Sequence, residues 1–200
     1  MKKIISKITN KLLRTKNPLS RYALKLKRKY RLRVLSKEDK KVLEICGGLT
    51  PIDRKNINVD IVDDPLVDVV VNLHERLPFN DDSVDQIVSV ATLEHFGLSD
   101  MRRILKEFHR ILKKGGVLEI GVPSLEKIFN YYRNYGLDDI CLRYLHGAQK
   151  DEYDIHLCIL DFVRIKKELE NLDYFNIIEL NYDYPVHDIK FMMKVKAYKK

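Results

Sequence analysis

The feature that most constrains the fold is a series of five short runs dense in valine and isoleucine, separated by turns or by helical segments. The runs are VLEIC (42–46), INVDI (57–61), VDVVV (67–71), QIVSV (86–90) and VLEIGV (117–122). Strands of a parallel sheet that is covered on both faces are apolar along most of their length. The pattern therefore predicts an α/β domain built on a mostly parallel sheet.

The clearest helix is predicted between the fourth and fifth runs. Ser99 is its predicted N-cap, and the apolar residues at 104, 105, 108, 111 and 112 share one face. Gly115 and Gly116 are predicted to end it. A second helix at about 160–172 precedes the runs FNIIELNY (175–182) and KFMMKVKAY (190–198), which are predicted to close the sheet as a pair. We therefore expect a Rossmann-like, doubly wound sheet of seven strands, mostly parallel, with an antiparallel last strand.

The connection between the first two strands is unusually short. Residues 47–56 leave only ten positions, which is at or below the minimum for a crossover that contains a helix. One face of the sheet would then lack cover. The basic helix predicted at 19–35 is expected to supply part of that cover through Tyr22, Leu24 and Leu26.

Charge divides the chain into two parts. Residues 1–40 contain 15 Lys and Arg against two acidic residues, whereas the remaining 160 residues carry a net charge of −5. Apolar residues at 4, 5, 8, 12 and 13 fall on one face of a further basic helix. We predict a basic helical extension at 1–40 and a single α/β domain at 41–200.

Composition excludes several classes of protein. No apolar run is long enough to span a membrane, and the first residues lack the pattern of a secretory signal. Three widely spaced cysteines without a CxxC motif argue against a disulfide framework or a zinc cluster. We expect a cytoplasmic protein.

The residues that end the predicted strands form an ordered set of motifs. Glu44-Ile45-Cys46-Gly47-Gly48 ends the first strand, Asp60 the second and Asn72 the third; LPF (77–79), LEHF (93–96) and LKKGGVLEIGVP (112–123) follow. In an open α/β sheet, such residues converge on a crevice at the carboxyl ends of the strands. The series resembles the class I S-adenosylmethionine-dependent methyltransferases, in particular the compact type that methylates small molecules and glycans.

The resemblance implies S-adenosylmethionine as cofactor, S-adenosylhomocysteine as product, and a set of cofactor-binding residues. The loop of Glu44, Cys46, Gly47 and Gly48 would surround the methionine part, and Asp60 would accept hydrogen bonds from the ribose. Asn72 would meet the adenine amino group, with the backbone of Leu73 beside the ring. His95 would face the crevice.

Two residues depart from the family pattern. Cys46 stands at the first glycine of the usual loop, where a left-handed backbone would cost a cysteine about 1–2 kcal/mol. Asn72 stands where an acid is frequent, and its carbonyl can accept a hydrogen bond without carrying charge. Because of these two departures, a further alternative remains, in which the chain is a non-catalytic, methyltransferase-like module that serves as an assembly partner.

The segment HGAQKDEYDIH (146–156) is expected to bind the acceptor. Methyl transfer to a hydroxyl needs an aligned oxygen and a base with a near-neutral pKa, for which histidine is suited. His156 is the first candidate and His146 the second, with Asp154 beside them. Asp151, Asp154 and the histidines have side chains that could bind a divalent ion, but nothing in their spacing is diagnostic and no metal ligand is assigned.

The expected reaction is O-methylation of a sugar hydroxyl in a glycan or glycan precursor. The sequence lacks the motifs of nucleic-acid base methyltransferases after its fourth strand, which disfavours base methylation. RNA or a modified nucleoside, bound through the basic extension, is the alternative acceptor. An anionic membrane surface is a further candidate partner for residues 1–35, in which case the protein would be peripheral at the membrane. The oligomeric state is not predicted.

Overall fold

The structure is a computed structural model that describes residues 18–35, 37–38 and 40–200. It contains a seven-stranded sheet with helices on its faces. The helices are α1 (Pro18–Leu35), α2 (Leu98–Ile111), α3 (Leu125–Tyr135), α4 (Asp139–His146) and α5 (Phe162–Glu170), with a short 3-10 helix at Leu93–His95. The strands are β1 (Val42–Ile45), β2 (Ile57–Asp60), β3 (Val69–Val70), β4 (Val84–Val90), β5 (Leu112–Pro123), β6 (Tyr174–Leu180) and β7 (Met192–Lys199).

The strand order is β3-β2-β1-β4-β5-β7-β6. Pairing is parallel from β3 to β5, and β7 runs antiparallel to both of its neighbours. The order reverses direction between β1 and β4, so the carboxyl ends of these strands flank the switch point where ligands bind in such sheets. The predicted fold class, including the antiparallel last strand, is confirmed.

Helix α2 shows how the periodic pattern becomes a core. Its five buried residues lie on one face and pack in the main hydrophobic cluster with β1, β4 and β5: Met101, Ile104, Leu105, Phe108 and Ile111. Full burial of such a side chain contributes about 1.5–3 kcal/mol. The segment from β4 through α2 to β5 is the predicted βαβ unit, and it fixes the position of the residues that follow β4.

The predicted ends of α2 were wrong. Gly97, not Ser99, is the N-cap, and no side chain caps the helix. The helix ends at Ile111, and β5 begins at Leu112, so Gly115 and Gly116 lie within the strand and do not stop the helix. Strand β5 thus includes Gly115 and Gly116, which local sequence propensity had assigned to the C-terminal cap of the helix.

Helix α1 has nearly the predicted bounds and packs on the loops around β2 and β3. Arg31 Nε donates to the buried Asp68 carboxylate at 2.5 Å, and Arg28 Nε donates to the Val67 carbonyl at 3.0 Å. Leu24 is buried, but Tyr22 and Leu26 are 64% and 51% exposed, so two of the three residues predicted to cover the sheet do not. Ion pairs and carbonyl contacts, together with Leu24 and Leu35, attach this helix.

The predicted helix before Asn17 and its apolar face lie outside the described residues. Residues 18–35 contact the domain, and the division of the chain at residue 40 stays a prediction. Within the described ranges, no helix is both long and apolar enough to cross a bilayer.

Candidate cofactor and acceptor site

The loop after β1 bends back onto the end of β2. Gly48 has a φ of +51°, and its N–H donates to Asp60 Oδ2 at 2.9 Å. The other carboxylate oxygen of Asp60 accepts from the Val62 N–H at 2.9 Å. Asp60 therefore fixes both the glycine loop and the turn after β2. Each oxygen keeps a lone pair with which it can accept a further hydrogen bond.

Glu44 holds the short connection between β1 and β2 in place. Its side chain is buried, and its carboxylate accepts from the Ile52 N–H at 2.5 Å, the Asp53 N–H at 3.3 Å and Asn56 Nδ2 at 3.3 Å. A ten-residue loop without a helix has few internal partners for its N–H groups, and this carboxylate supplies them. Glu44 also borders the pocket described below, but its bonds are directed to the loop.

Gly47 is required by close packing. A Cβ atom at this position would lie 2.7 Å from Asn58 Oδ1 and 2.8 Å from Glu44 Oε1, closer than real Cβ contacts. Only glycine lets the chain pass between these two side chains without displacing them. The predicted glycine loop is therefore formed, with Gly47 at the close approach and Gly48 at the left-handed turn.

Cys46 has a left-handed backbone, with a φ of 56°. Burial, followed by the nearby Asp60 carboxylate, raises the pKa of its thiol to about 12. Since a thiolate is the reactive form, this cysteine is not suited to act as a nucleophile at neutral pH. Its N–H donates to the Val59 carbonyl at 2.8 Å, so the residue links β1 to β2.

The backbone at Cys46 leads to a prediction about stability. We expect Cys46→Val to be less stable than Cys46→Gly by about 1–2 kcal/mol, because a left-handed residue with a Cβ is strained and a branched one more so. Urea denaturation of both variants measures the difference. Cys141, which is buried in α4, provides the control: there glycine should be worse than valine. A Cys46→Val variant as stable as Cys46→Gly would contradict the left-handed assignment.

The predicted adenine contacts are only partly available. Asn72 Oδ1 accepts from the His74 N–H at 2.9 Å, so the side chain closes a local turn, and Leu73 packs in the core. Two apolar residues that the sequence analysis missed, Ile61 and Val62, are 40% and 46% exposed directly after Asp60. A carboxylate can accept hydrogen bonds from ribose hydroxyls, and exposed apolar side chains beside it can contact the flat, apolar faces of a base. This combination suits a nucleoside. Their position next to the predicted ribose acid was the signal that could have identified them.

Two pockets adjoin at the carboxyl ends of β1 and β4. The first is bordered by the β1 loop from Glu44 to Gly47 and by Thr50, Ile52, Val90 and Val186. The second, of about 70 Å³, is bordered by Glu94, Asp154 and His156, among others. Ala91, His95 and His187 border both. The two pockets are therefore neighbours that share three lining residues.

His95 and His156 lie together in the second pocket, although 60 residues separate them in the sequence. Their ring centroids are 4.9 Å apart, and the rings meet edge to face. His95 Nδ1 lies 3.1 Å from the Ile155 carbonyl, and His156 Nδ1 lies 3.0 Å from the Tyr144 carbonyl. A carbonyl accepts only, so Nδ1 carries the proton in each ring. Burial lowers the pKa of both histidines, which favours the neutral form with a lone pair on Nε2.

The other two predicted catalytic residues are placed differently. Asp154 borders the second pocket, whereas the His146 side chain is exposed and does not border it. The His146 carbonyl accepts from the His156 N–H at 3.1 Å, so its backbone positions His156. The sequence analysis missed His187 and Glu94. LEHF was recognised as a motif, but nothing in it indicates that Glu94 is buried.

Glu94 is 2% exposed, and its Oε2 atom has no hydrogen-bond partner among the described residues. Burial raises the pKa of this carboxyl to about 8. The Leu157 and Cys158 N–H groups both donate to the Glu94 carbonyl, at 2.8 and 3.1 Å. These bonds fasten the segment that carries His156 to the 3-10 helix that carries Glu94 and His95.

Comparisons with known proteins agree with this geometry. A family model described as a methyltransferase domain matches residues 33–120. Probable tRNA methyltransferase 9B of Mus musculus is 35% identical over 85 residues, which are 42% of this chain and 17% of that protein. The Homo sapiens protein of the same name is 34% identical over the same length. The match thus spans about a sixth of the length of these curated relatives.

Solved structures share the fold at lower identity. A possible histamine N-methyltransferase from Thermotoga maritima has a TM-score of 0.58 at 19% identity and covers 88% of this chain and 89% of its own. An S-adenosylmethionine-dependent methyltransferase from Archaeoglobus fulgidus has a TM-score of 0.55 at 18% identity, and the match covers 87% of this chain and 93% of that one. Residues 33–120 are thus similar to the methyltransferase-domain family, and the strand order of the described chain is the fold of these solved methyltransferase structures.

Proposed function

We propose that the chain methylates a hydroxyl group of a glycan or glycan precursor, with S-adenosylmethionine as methyl donor. The observation that carries the proposal is that the cofactor pocket and the histidine pocket share Ala91, His95 and His187. Ala91 has a left-handed backbone with a φ of 49°, and such strain is concentrated at functional sites. An acceptor oxygen in the second pocket would be adjacent to a methyl donor in the first.

In this proposal the first pocket binds the cofactor together with Gly48 and residues 60–62, which lie outside the pocket lining. When bound, S-adenosylmethionine supplies an electrophilic methyl group on a sulfonium. Asp60 accepts hydrogen bonds from the ribose hydroxyls, and Ile61 and Val62 contact the base. Gly47 and Gly48 let the backbone approach the methionine part. The donor set present in this chain fits the group, and Asn72, whose Oδ1 already accepts one bond, contributes least.

In the second pocket, a histidine accepts the proton of the acceptor hydroxyl. His156 remains the first candidate because its Nε2 lone pair is available and its ring is held by the Tyr144 carbonyl. In this proposal the target hydroxyl of the acceptor lies in the second pocket, beside the His156 ring.

The test is a transfer assay with the full-length protein and a donor carrying a radioactive methyl group. We expect label in hydroxyl-bearing glycan intermediates and none in acceptors whose target hydroxyl is already methylated. His156→Ala should reduce the rate at least about 100-fold, the usual contribution of a positioned acid or base. His146→Ala should have a smaller effect because its side chain is outside the pocket. Transfer to amines alone would refute the proposed chemistry.

RNA is the second candidate acceptor. The curated relatives carry the name of a tRNA methyltransferase, and α1 bears exposed basic residues at every fourth position: Arg21, Lys25, Lys29 and Arg33. Phosphate contacts of this kind make affinity fall steeply with salt. Measuring RNA binding against salt, with Arg21, Lys25 and Lys29 changed to alanine, tests this. Anionic vesicles at the same salt test the membrane surface instead.

A further inference from the structure

We propose that Glu94, His95 and His156 form a binding site for one divalent first-row transition metal ion. One potential ligand atom from each residue lies within 4.8 Å of the other two, in the described part of the chain. Two imidazoles and one carboxylate suit Mn²⁺, Fe²⁺, Co²⁺ or Zn²⁺. This combination was not expected from the sequence, since the ligands come from two distant segments.

The unpartnered oxygen of Glu94 is the first reason for a ligand at this place. Its side chain is 2% exposed, and Oε2 has no hydrogen-bond partner among the described residues. A buried carboxylate oxygen without a partner is costly, and buried charges in proteins are paired or coordinate metals. A cation between Glu94 and the two imidazoles would compensate this cost.

The hydrogen bonds of the two histidines are the second reason. Each ring uses Nδ1 toward a backbone carbonyl, of Ile155 for His95 and of Tyr144 for His156. This arrangement fixes the tautomer and leaves the Nε2 lone pair available, as in ligating histidines whose other ring nitrogen is held by an outer partner. Both rings are therefore prepared to bind a cation without first losing a proton from Nε2.

The backbone is the third reason, because it holds the three ligands together before an ion arrives. The Leu157 and Cys158 N–H groups donate to the Glu94 carbonyl, and the His156 N–H donates to the His146 carbonyl. Ligand atoms of a tetrahedral site are about 3.4 Å apart when each bond is 2.0–2.1 Å. Separations of up to 4.8 Å would therefore have to shrink by at most about 1.4 Å when an ion binds.

The role of the ion rests on the proposed function, whereas its binding does not. Three protein ligands leave at least one coordination position open, and the site borders the pocket proposed for the acceptor hydroxyl. An acceptor oxygen bound to the ion would lose its proton to solvent water more readily. In the ion-bound protein His156 would be a ligand and solvent water would take the proton, whereas in the ion-free protein His156 would accept the proton as proposed above.

The binding test uses full-length protein without an affinity tag, freed of metal with a chelator and titrated with Co²⁺ in the absence of cofactor and acceptor. We expect one ion per chain with visible absorption bands of a nitrogen- and oxygen-bound ion. Glu94→Gln and His156→Ala should each lower the affinity for the ion more than about 100-fold. Loss of a residue that only hydrogen-bonds to a metal ligand costs up to about 100-fold, and loss of a ligand itself should cost more. His146→Ala is the matched control and should still bind one ion.

Two outcomes overturn the site: no saturable binding by the wild type, or binding by Glu94→Gln and His156→Ala that equals that of the wild type. If a variant fails to fold, NMR of the wild type decides, because Zn²⁺ should shift the Nε2 resonances of two histidines. Binding of S-adenosylhomocysteine without metal reports on the cofactor pocket separately. If the protein binds the ion but a chelator does not reduce methyl transfer, the metal site stands and its proposed role toward the acceptor is wrong.

Discussion

Replacing Asp60 with alanine is expected to reduce the affinity for S-adenosylhomocysteine by at least about 100-fold. Two hydrogen bonds from ribose hydroxyls to a carboxylate contribute about 1.5–3 kcal/mol each, and about 1.4 kcal/mol corresponds to a tenfold change. The substitution also removes the acceptor that holds the Gly48 and Val62 N–H groups. Calorimetric titration of the full-length protein measures the effect.

Two variants serve as controls for this result. Asp60→Asn keeps one carbonyl oxygen and loses the charge, so its affinity should lie between those of the wild type and Asp60→Ala. Asp63→Ala removes a nearby acid whose partner is Arg28 on α1, and it should bind the product as the wild type does. A folded Asp60→Ala protein with unchanged affinity would remove Asp60 from the cofactor site.

The second large effect concerns stability. We expect Glu44→Ala to lower the free energy of unfolding by about 3 kcal/mol or more, because three donors of the β1–β2 connection would lose their acceptor. Each buried polar group left unsatisfied costs about 1–3 kcal/mol, and partial access to water in the loop reduces this sum. Denaturant unfolding measures the change, and Glu44→Gln, which keeps one oxygen, should lose less.

The same substitution should also weaken cofactor binding, because the loop it holds borders the cofactor pocket. Saturating S-adenosylhomocysteine would then restore less stability to Glu44→Ala than to the wild type. If Glu44→Ala were as stable as the wild type, the loop would not depend on this carboxylate, and the hydrogen bonds from the Ile52 and Asp53 N–H groups would not contribute to the free energy of unfolding.

Sequence patterns that repeat over many residues were reliable here. The apolar runs and the α2 periodicity predicted the sheet and the βαβ unit, since burial of a whole strand or helix face outweighs single residues. Ser99 and Gly115 were misread because a cap depends on a few backbone angles; at the C-terminal end of α2, pairing of β5 from Leu112 onward replaced the expected glycine stop. Exposure of Tyr22 and Leu26 was likewise decided by ion pairs between α1 and distant loops.

The sequence alone predicted the α/β fold class of this protein, the succession of its strands along the chain, its short β1–β2 connection, the glycine loop and the acid at residue 60. These features are local or regularly spaced, and the physics that selects them acts within about ten residues. Only the tertiary structure determined that Glu94, His95 and His156 meet in one pocket and that Cys46 is left-handed. Burial of a carboxyl and the approach of two imidazoles depend on which distant segments pack together, and no local pattern carries that information.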